Sequence, residues 1–371
     1  MRISFFVPRC TPDNSHGNYV VQLSKRLEPE HKVSVYSGAF WPPLRSVARC
    51  HFVAVPVRPA VVRLGTLWVS SVFASEGRAA DIVHVQGADA PVGNVVTAHS
   101  CNPAQRRAAG PNAPFLRRLN YALGSAAEKY CLAKHSTRSI IAVSQKVKDE
   151  IVREYGIDGH RVVVIHHGVD GVAFHPVNRE RKRASVRSRL MLNPHHFVVA
   201  FVGGDYRLKG LDSLIEAARR LPPSVRIVTA GVRMDAGLKA LLRDDRLDGR
   251  VTLLGHVDDV AASLYAAADC FALPTRYDTF SLATLEAMAS GLPVVVSRAA
   301  GVSELLSPDH DSLLLDDPAD VEGLAVRLRR LLDDAALRVR LGTNARTTAE
   351  RCSWDDVVQR TLQVYRETVK T

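Results

Sequence analysis

The sequence predicts an α/β protein built of two Rossmann-like, doubly wound domains, and three observations support this prediction. The chain has 371 residues, 46% of them hydrophobic, which is more than a single hydrophobic core usually organises. Short β-branched runs alternate with helical patterns. This alternation stops at a polar stretch near the middle of the chain and then starts again. Because ligands of such sheets bind at the carboxyl ends of the strands, we expect the functional site in a cleft between the domains.

Each predicted domain contains a series of runs that are apolar on both faces. Strands of a parallel sheet need this pattern when helices cover the sheet on both sides. The first series comprises residues 3–7, 33–36, 52–57, 82–85, 95–98, 140–143 and 162–165. The second comprises residues 197–202, 225–230, 251–254, 270–273, 294–297 and 313–315.

The predicted domain boundary lies in a charged stretch, residues 175–194, which contains Pro176 and Pro194 near its ends. Its polarity and its prolines are typical of a connection between domains. We therefore predict an N-terminal domain at 1–175 and a C-terminal domain at 176–353. The remaining segment, 354–371, has a helical apolar period and is expected to pack back onto the first domain.

The composition excludes several classes of protein. The six cysteines are scattered without metal-like spacing, which favours reduced thiols and predicts no metal site. The sequence shows neither a secretory signal nor an apolar run of the ~20 residues that a membrane-spanning helix needs. We therefore expect a cytoplasmic protein, either soluble or peripheral on the inner face of a membrane.

Positive charge is concentrated in the first half of the chain. Of the net charge of +11, residues 1–170 carry +9, with 21 Lys and Arg against 12 Asp and Glu. Between Arg106 and Arg138, seven basic residues and the single acid Glu128 are interleaved with aromatic and aliphatic residues. Such a stretch suits the surface of an anionic bilayer, and it equally describes a solvated helix face.

The most specific segment is 274–297. A strand ends at Leu273, a loop carries Asp278, a helix starts near Ser281, and Glu286 follows one turn later. Amides at a helix N-terminus can bind a diphosphate, so the predicted ligands are those of Phe280, Ser281 and Leu282. A carboxylate such as Glu286 can accept two hydrogen bonds from a ribose diol.

This segment resembles the Glu-x7-Glu motif of glycosyltransferase family 4, with Asp278 as the first acid. Members are retaining enzymes with the GT-B fold, two Rossmann-like domains facing across a cleft. The resemblance implies that Asp278 lies near the donor sugar and that Glu286 binds the ribose. It also implies that residues 176–353 bind the nucleotide sugar and that residues 1–175 lie on the acceptor side.

Further segments resemble the same family over nearly the whole chain. Residues 201–212 are similar to its glycine loop and basic pair, which implies that Lys209, Arg207, Gly203 and Gly204 meet the diphosphate. The remaining positions are Gly17 in a glycine loop after the first strand, His99 near the donor sugar, and His256 and Val257 beside the nucleobase.

The resemblance implies sugar transfer from a nucleoside-diphosphate sugar, UDP or GDP, without a metal or other cofactor. Lys209, Arg207 and the helix N-terminus would stabilise the departing diphosphate. The acceptor would be a glycan, a lipid-linked molecule or a small molecule, in cell-envelope polysaccharide, lipopolysaccharide or glycolipid biosynthesis.

Four alternatives compete with this interpretation. A non-catalytic or partner-dependent pseudo-glycosyltransferase and a GT-B nucleotide-sugar epimerase both fit the motifs. A nucleic-acid binder explains the charge but not the spacing of the two acids. A dinucleotide-dependent dehydrogenase lacks the Gly-x-Gly-x-x-Gly motif that should follow the first strand.

Overall fold

The computed structural model describes residues 1–53, 65, 68–72, 74, 77, 79–111 and 114–370. The chain forms two compact units. The first comprises Met1–Gly168 and Trp354–Thr371, and the second comprises Val169–Ser353. Each unit has a parallel sheet of its own, so the predicted α/β class with two Rossmann-like domains is confirmed.

The first unit is built on a parallel sheet with the strand order β3-β2-β1-β4-β5-β6-β7 among its described residues. These strands are β1 Arg2–Phe6, β2 Lys32–Ser37, β3 Arg49–Phe52, β4 Ile82–Gln86, β5 Val95–Ala98, β6 Ser139–Ala142 and β7 Val162–Val164. The accompanying helices are α1 Ser15–Leu27, α2 Asn102–Ala109, α3 Phe115–Ala133 and α4 Gln145–Tyr155. Strands β4 and β5 are buried along their whole length.

The third predicted strand was misplaced. We predicted it at 52–57, whereas β3 covers Arg49–Phe52, and residues 54–57 lie outside the described part of the chain. In the observed register Cys50 pairs with Val35 of β2. Strand β3 lies at the edge of the sheet and is only partly buried. An edge strand can carry polar residues, so β3 lacks the continuous apolar pattern on which the prediction was based.

The second unit has a parallel sheet with the order β10-β9-β8-β11-β12-β13 among its described residues. Its strands are β8 Phe197–Val202, β9 Val225–Ala230, β10 Val251–Leu253, β11 Cys270–Leu273, β12 Val294–Ser297 and β13 Ser312–Leu315. They match the predicted runs to within one residue. The helices are α5 Pro176–Arg189, α6 Leu211–Ala218, α7 Ala236–Leu241, α8 Leu282–Ala289, α9 Val321–Asp333 and α10 Ala335–Glu350.

The stretch that we interpreted as an interdomain connection is mostly a helix of the second unit. His175 caps α5 and Pro176 occupies its first turn, a position that suits proline. Arg183 and Arg187 of this helix form ion pairs with Asp269, at 2.5 and 3.4 Å. Arg183 and Arg187 therefore anchor the helix, whereas Glu180, Arg181 and Lys182 are exposed.

The boundary between the units lies at 168/169 and not at the predicted 175/176. Val169 forms a β-bridge with Ser353, and the ring of Phe174 lies 6.1 Å from that of Tyr265. Arg346 donates a hydrogen bond to the carbonyl of Phe174, at 2.8 Å. These contacts tie residues 169–175 to the second unit.

The last helix, α11 Trp354–Lys370, belongs to the first unit. The hydroxyl of Tyr365 lies 2.6 Å from Nδ1 of His84 on β4, and Arg26 of α1 pairs with Asp355 at 2.6 Å. Among the described residues, no helix combines the length and hydropathy of a bilayer-spanning segment.

Candidate functional site

Neighbouring strands of the second sheet lead into glycines. Gly203 and Gly204 follow β8, and Gly231 follows β9. A Cβ atom added to Gly203 would lie 2.9 Å from Cγ of Lys209. Gly204 is exposed, and an atom added there would have its nearest neighbour 3.8 Å away. Gly203 therefore gives the stem of Lys209 room to pass the strand end, and Gly204 leaves the backbone accessible.

Lys209 and Asp278 form a close ion pair. The ammonium lies 2.6 Å from Oδ2 of Asp278, and the two side chains are only 24% and 13% exposed. Gly210 permits this contact, because its φ is +80° and an added Cβ would lie 1.9 Å from the carbonyl oxygen of Pro274. A shielded pair of this kind is screened less by salt than an exposed pair. The fold thus brings together two predicted site residues that are distant in sequence.

The N-terminus of α8 lies directly after this pair. Ser281 has a left-handed backbone, with φ +85°, which costs a residue other than glycine of order 1–3 kcal/mol. Its hydroxyl accepts a hydrogen bond from the amide of Thr284, at 3.4 Å. The Phe280 amide donates to Asp278 Oδ1, also at 3.4 Å. Within the described part of the chain, the amides of Ser281 and Leu282 have no acceptor, so they can bind an anion.

Glu286 lies one turn into α8 and is only partly exposed. Burial raises the pKa of its carboxyl to about 8, because a low-dielectric environment disfavours the charged form. No hydrogen bond or ion pair to its carboxyl is recorded among the described residues. The nearby Tyr265 is buried and donates its hydroxyl to the carbonyl of Ala283, at 2.8 Å. Glu286 is therefore held in the fold with both carboxyl oxygens available to a ligand.

Arg207 is placed differently from Lys209. Its side chain is exposed, its guanidinium lies 5.5 Å from the ring centre of Tyr206, and its Nε donates to the Tyr206 hydroxyl at 2.9 Å. The described residues show no ion pair between Arg207 and Asp278. The structure therefore brings the side chain of Lys209 into contact with Asp278, whereas Arg207 meets the same loop through its backbone carbonyl, which accepts a hydrogen bond from Arg276.

His256 and Val257 follow β10 at the edge of the second sheet. The His256 side chain is 70% exposed and lies 3.2 Å from Asp258, whereas Val257 is partly buried. The preceding Gly255 accepts a hydrogen bond from the amide of Gly231, at 2.6 Å. This bond ties the end of β10 to the glycine that follows β9.

In the first unit, His99 follows β5 and is buried. Its Nε2 lies 2.8 Å from Oε1 of Gln86, the last residue of β4. The ring stacks against His16 of α1, with the ring centres 4.2 Å apart, and against His167 at 5.5 Å. The edge of Tyr19 contacts His99, with the ring centres 5.3 Å apart. His99 is thus fixed on several sides at the carboxyl end of the sheet.

Burial disfavours the charged form of the imidazoles of His84, His99 and His167. It lowers the pKa of His167 and of His84 to about 3 and holds the pKa of His99 well below its usual value. His84 lies between the hydroxyls of Tyr365 and Thr97, each at 2.6 Å. Neutral rings of this kind offer hydrogen-bond donors and acceptors but no positive charge.

Gly17 lies in the first turn of α1, where its amide donates to the cap residue Asn14 at 2.7 Å. It is buried, and a Cβ atom there would lie 2.4 Å from the carbonyl of Arg9 and 2.6 Å from that of Thr11. Close packing of the loop on the helix therefore explains this glycine without a ligand.

The basic stretch of the first unit forms helices α2 and α3. At the start of α3, Phe115 and Leu116 are 75% and 71% exposed, and Leu119 and Leu123 are each 42% exposed. Arg118 on the same helix is also exposed. We call these five residues the α3 face.

Glu128, the single acid of the basic stretch, is buried. It accepts hydrogen bonds from the Ser100 hydroxyl, the Asn102 amide and the Tyr155 hydroxyl, at 2.9, 2.8 and 2.6 Å. Glu128 therefore fastens α3 to the segment that follows His99.

Sequence reasoning missed several residues that organise these sites. Gly210 lies in the 201–212 segment next to Lys209, yet its role depends on Pro274, which is far away in the sequence. Arg276 anchors the Asp278 loop through a bidentate pair with Asp212, at 2.8 and 3.0 Å. Gln86 carried no signal beyond its place at the end of a predicted strand. A polar residue at the carboxyl end of a buried strand is the feature that could have identified it.

Two family descriptions match the chain. Residues 196–334 match Glycosyl transferases group 1, and residues 16–171 match Glycosyltransferase Family 4. The MMP alpha-(1->4)-mannosyltransferase of Mycolicibacterium hassiacum is 32% identical over 236 residues, which cover 62% of this chain and 54% of that protein. A D-inositol 3-phosphate glycosyltransferase of Salinispora tropica is 34% identical over 249 residues, with 62% and 51% covered. The chain spans about half the length of these curated relatives.

Solved structures share the whole fold. WaaG, a glycosyltransferase involved in lipopolysaccharide biosynthesis, is 19% identical with a TM-score of 0.82, and the match covers 98% of this chain and 99% of WaaG. Sucrose-phosphate synthase from Thermosynechococcus elongatus is 22% identical with a TM-score of 0.80, and 99% and 98% are covered. Anabaena HepE in complex with UDP-glucose is 20% identical with a TM-score of 0.77, and 99% and 100% are covered. At these identities the likeness shows the fold alone.

The family matches include the whole second sheet, strands β2 to β7 of the first sheet, and the segments that carry His99, Lys209, Asp278 and Glu286. Together with the two parallel-sheet units, they show that the chain belongs to glycosyltransferase family 4, within the glycosyl transferases group 1, and has the GT-B fold.

Proposed function

We propose that the chain is a retaining glycosyltransferase that moves a hexose from a nucleoside-diphosphate sugar to an acceptor hydroxyl. One observation supports this most strongly. In the second unit, the Lys209–Asp278 ion pair, the open amides of Ser281 and Leu282, and the carboxyl of Glu286 follow one another around the start of α8. The cation and the amides suit the diphosphate of a nucleotide sugar, and the carboxyl suits its ribose.

The proposed roles follow from charge. The diphosphate binds to the amides at the α8 N-terminus and to Lys209, whose ammonium moves from Asp278 to the phosphate oxygens or is shared between them. The ribose hydroxyls donate hydrogen bonds to Glu286. Asp278 keeps the ammonium in place before the donor arrives.

In the reaction, the bond from the sugar anomeric carbon to the phosphate oxygen breaks, and a bond to the acceptor oxygen forms on the same face. The acceptor proton passes to the departing phosphate oxygen, so no protein base is needed. Lys209 and the amides stabilise the charge that develops on the diphosphate. Because they supply the positive charge, we propose that no divalent ion or other cofactor is needed. A chelator should then leave turnover unchanged.

A direct test is a thermal-stability screen with UDP, GDP, UDP-glucose and GDP-mannose, since a ligand of the folded state raises the melting temperature. The nucleotide sugar that stabilises the protein is then supplied in labelled form with candidate acceptors. We expect labelled product with a retained anomeric configuration. Donor binding without transfer would favour the non-catalytic alternative, and conversion of the donor without any acceptor would favour an epimerase.

The acceptor proposal uses the α3 face. Its apolar side chains are exposed beside Arg118, and Arg106 and Arg107 of α2 are exposed as well. Apolar residues that enter the acyl boundary and cations that meet anionic headgroups are the two components of interfacial binding. We therefore propose peripheral contact with an anionic membrane and a lipid-linked acceptor, consistent with a role in cell-envelope glycan synthesis.

Vesicle sedimentation tests this surface. Replacing Phe115 and Leu116 together by Ser should weaken binding to phosphatidylglycerol vesicles by roughly tenfold or more, from the apolar area lost. The matched control is Val339→Ser, which removes an apolar side chain that is 70% exposed on α10 of the other unit. Equal vesicle binding by the unaltered protein, the double variant and Val339→Ser would contradict membrane contact through the α3 face.

A further inference from the structure

Gln86 and His99 meet at the carboxyl ends of two adjacent buried strands of the first unit. The amide oxygen of Gln86 lies 2.8 Å from Nε2 of His99. The other ring nitrogen, Nδ1, is buried and has no hydrogen-bond partner among the described residues. The pair thus uses one nitrogen of the ring and leaves the other unused.

The contact decides which nitrogen carries the proton. An amide oxygen can only accept a hydrogen bond, so Nε2 of His99 must donate. A neutral imidazole carries one proton, and burial disfavours a second. Nδ1 is therefore a bare acceptor. The stacked rings of His16 and His167 fix the ring plane, so the lone pair of Nδ1 has a fixed direction.

A ligand hydroxyl is the partner that such an acceptor lacks. A buried acceptor without a hydrogen bond is destabilising, and a hydroxyl donor would remove this penalty. Tyr19, Gln86 and His167 around the ring are buried, whereas the side chain of His16 is 34% exposed. A hydroxyl would therefore reach His99 past His16. Nδ1 of His16 lies 3.5 Å from Oδ2 of Asp89, so a phosphate would approach a carboxyl group here, and an uncharged polyol suits the site better.

We propose that Gln86 is a positioning residue that fixes the tautomer of His99, so that Nδ1 accepts a hydrogen bond from a sugar hydroxyl at the carboxyl edge of the first sheet. The assignment of a sugar as the ligand rests on the proposed function. The assignment of the tautomer does not, and it can be tested in the protein without any ligand.

The tautomer is measured by long-range proton–nitrogen NMR of the full chain labelled at histidine, with His99→Gln to assign the signals. At pH 7 we expect a protonated Nε2 and a bare Nδ1 on His99. In Gln86→Leu this preference should be lost. A protonated Nδ1 in the unaltered protein would overturn the proposal, because it would mean that the Gln86 amide faces the ring through its nitrogen.

Kinetics test the consequence for the sugar. With UDP-glucose as the probe donor, Gln86→Leu should lower kcat/KM roughly fivefold to tenfold, the worth of one hydrogen bond. The dissociation constant of UDP, which lacks the hexose, should not change. Gln363→Leu, at an exposed position of α11, is the matched control and should behave like the unaltered protein.

Gln86→Glu separates positioning from packing. A carboxylate still accepts the proton of Nε2, but it also favours a second proton on the ring, and that proton would block Nδ1. We expect near-normal kcat at high pH and an acid-side loss of kcat that begins at a higher pH than in the unaltered protein. A uniform loss at all pH values would indicate a packing defect and would overturn the proposal. If no variant binds any donor while the NMR result holds, the proposed function fails and the tautomer assignment stands.

Discussion

The carboxyl edges of the two sheets carry opposite kinds of chemistry. In the second unit the edge holds an ion pair, open helix amides and a carboxyl whose pKa is raised to about 8. In the first unit the edge holds stacked imidazoles whose pKa values are lowered by burial. One edge is therefore suited to a ligand with several charges, and the other to a neutral ligand rich in hydroxyl groups.

The two units are built on sheets of the same parallel type, so the contrast comes from the residues at the strand ends. In the second sheet these ends carry glycines, which allow charged side chains and backbone amides to approach a ligand. In the first sheet they carry Gln86 and His99, packed by aromatic rings. Two sheets of the same parallel type thus carry two chemically different sites.

The variant Lys209→Ala gives the strongest test of the charged edge of the second sheet. We expect kcat to fall by about 10²–10³, equivalent to about 2.7–4 kcal/mol, because a preorganised charge would be lost from the departing diphosphate. Lys239→Ala, at an exposed lysine of α7 in the same unit, should change little. Steady-state rates with the stabilising nucleotide sugar provide the measurement. Unchanged turnover of the Lys209 variant would remove the lysine from the mechanism.

The next effect concerns Glu286. Replacement by Gln should weaken UDP binding by about 1.5–3 kcal/mol, the range for hydrogen bonds to a charged group. Below about pH 8 the free protein holds a proton on Glu286, and ribose binding must displace it. Calorimetry should therefore show affinity rising by up to about tenfold per pH unit as the pH approaches 8.

The control for this experiment is Glu322→Gln, at a side chain that is 74% exposed, which should keep the pH dependence of the unaltered protein. Glu286→Gln should abolish that dependence. A pH-independent affinity in the unaltered protein would show that Glu286 does not bind the ribose in its charged form.

A separate effect, on stability and not on activity, should appear in the first unit. Unfolding restores the pKa of His84 and His167 from about 3 to their usual values, so the unfolded chain binds more protons. Their contribution is complete above about pH 6.5 and is lost as the pH falls towards 3. The loss is about 1.4 kcal/mol per ring for each pH unit below 6.5.

Fluorescence can follow this unit alone, because the three tryptophans, Trp41, Trp68 and Trp354, all belong to it. Urea unfolding at pH 7.0 and 5.5 should show the acid loss. Equal midpoints at the two pH values would contradict a neutral histidine cluster.

The smallest expected effect is that of Arg207→Ala. Because this side chain is exposed and held by Tyr206, we expect kcat/KM to change by less than about threefold, as is typical of exposed charges. A loss comparable to that of Lys209→Ala would mean that Arg207 turns to the diphosphate when the donor binds, as the sequence resemblance implies.

The sequence predicted the elements of the site better than their contacts. The strands of the second sheet, the helix start at Ser281 and the position of Glu286 all follow from local patterns, and the structure has them where they were expected. The Lys209–Asp278 contact spans 69 positions and depends on how closely Gly210 approaches Pro274. Local periodicity carries no information about such an approach.

The errors have physical causes too. Helix α5 resembles a linker in the sequence because most of its charged side chains are exposed, and the ion pairs of Arg183 and Arg187 with Asp269 cannot be read from local sequence. Gln86 was missed because its function depends on the neighbouring strand, where His99 lies 13 positions away. The roles of helix α5 and of Gln86 can be recognised only when the packing of the chain is known.

The placement of α11 has a consequence for synthesis on the ribosome. The second unit is inserted into the first, and its ends are joined by the bridge between Val169 and Ser353. Trp354, Leu362 and Tyr365 of α11 complete the core that Ile3 and Phe5 begin. The first unit therefore cannot complete its core until residues 354–365 have been translated, whereas the inserted unit can fold earlier because it is continuous in sequence.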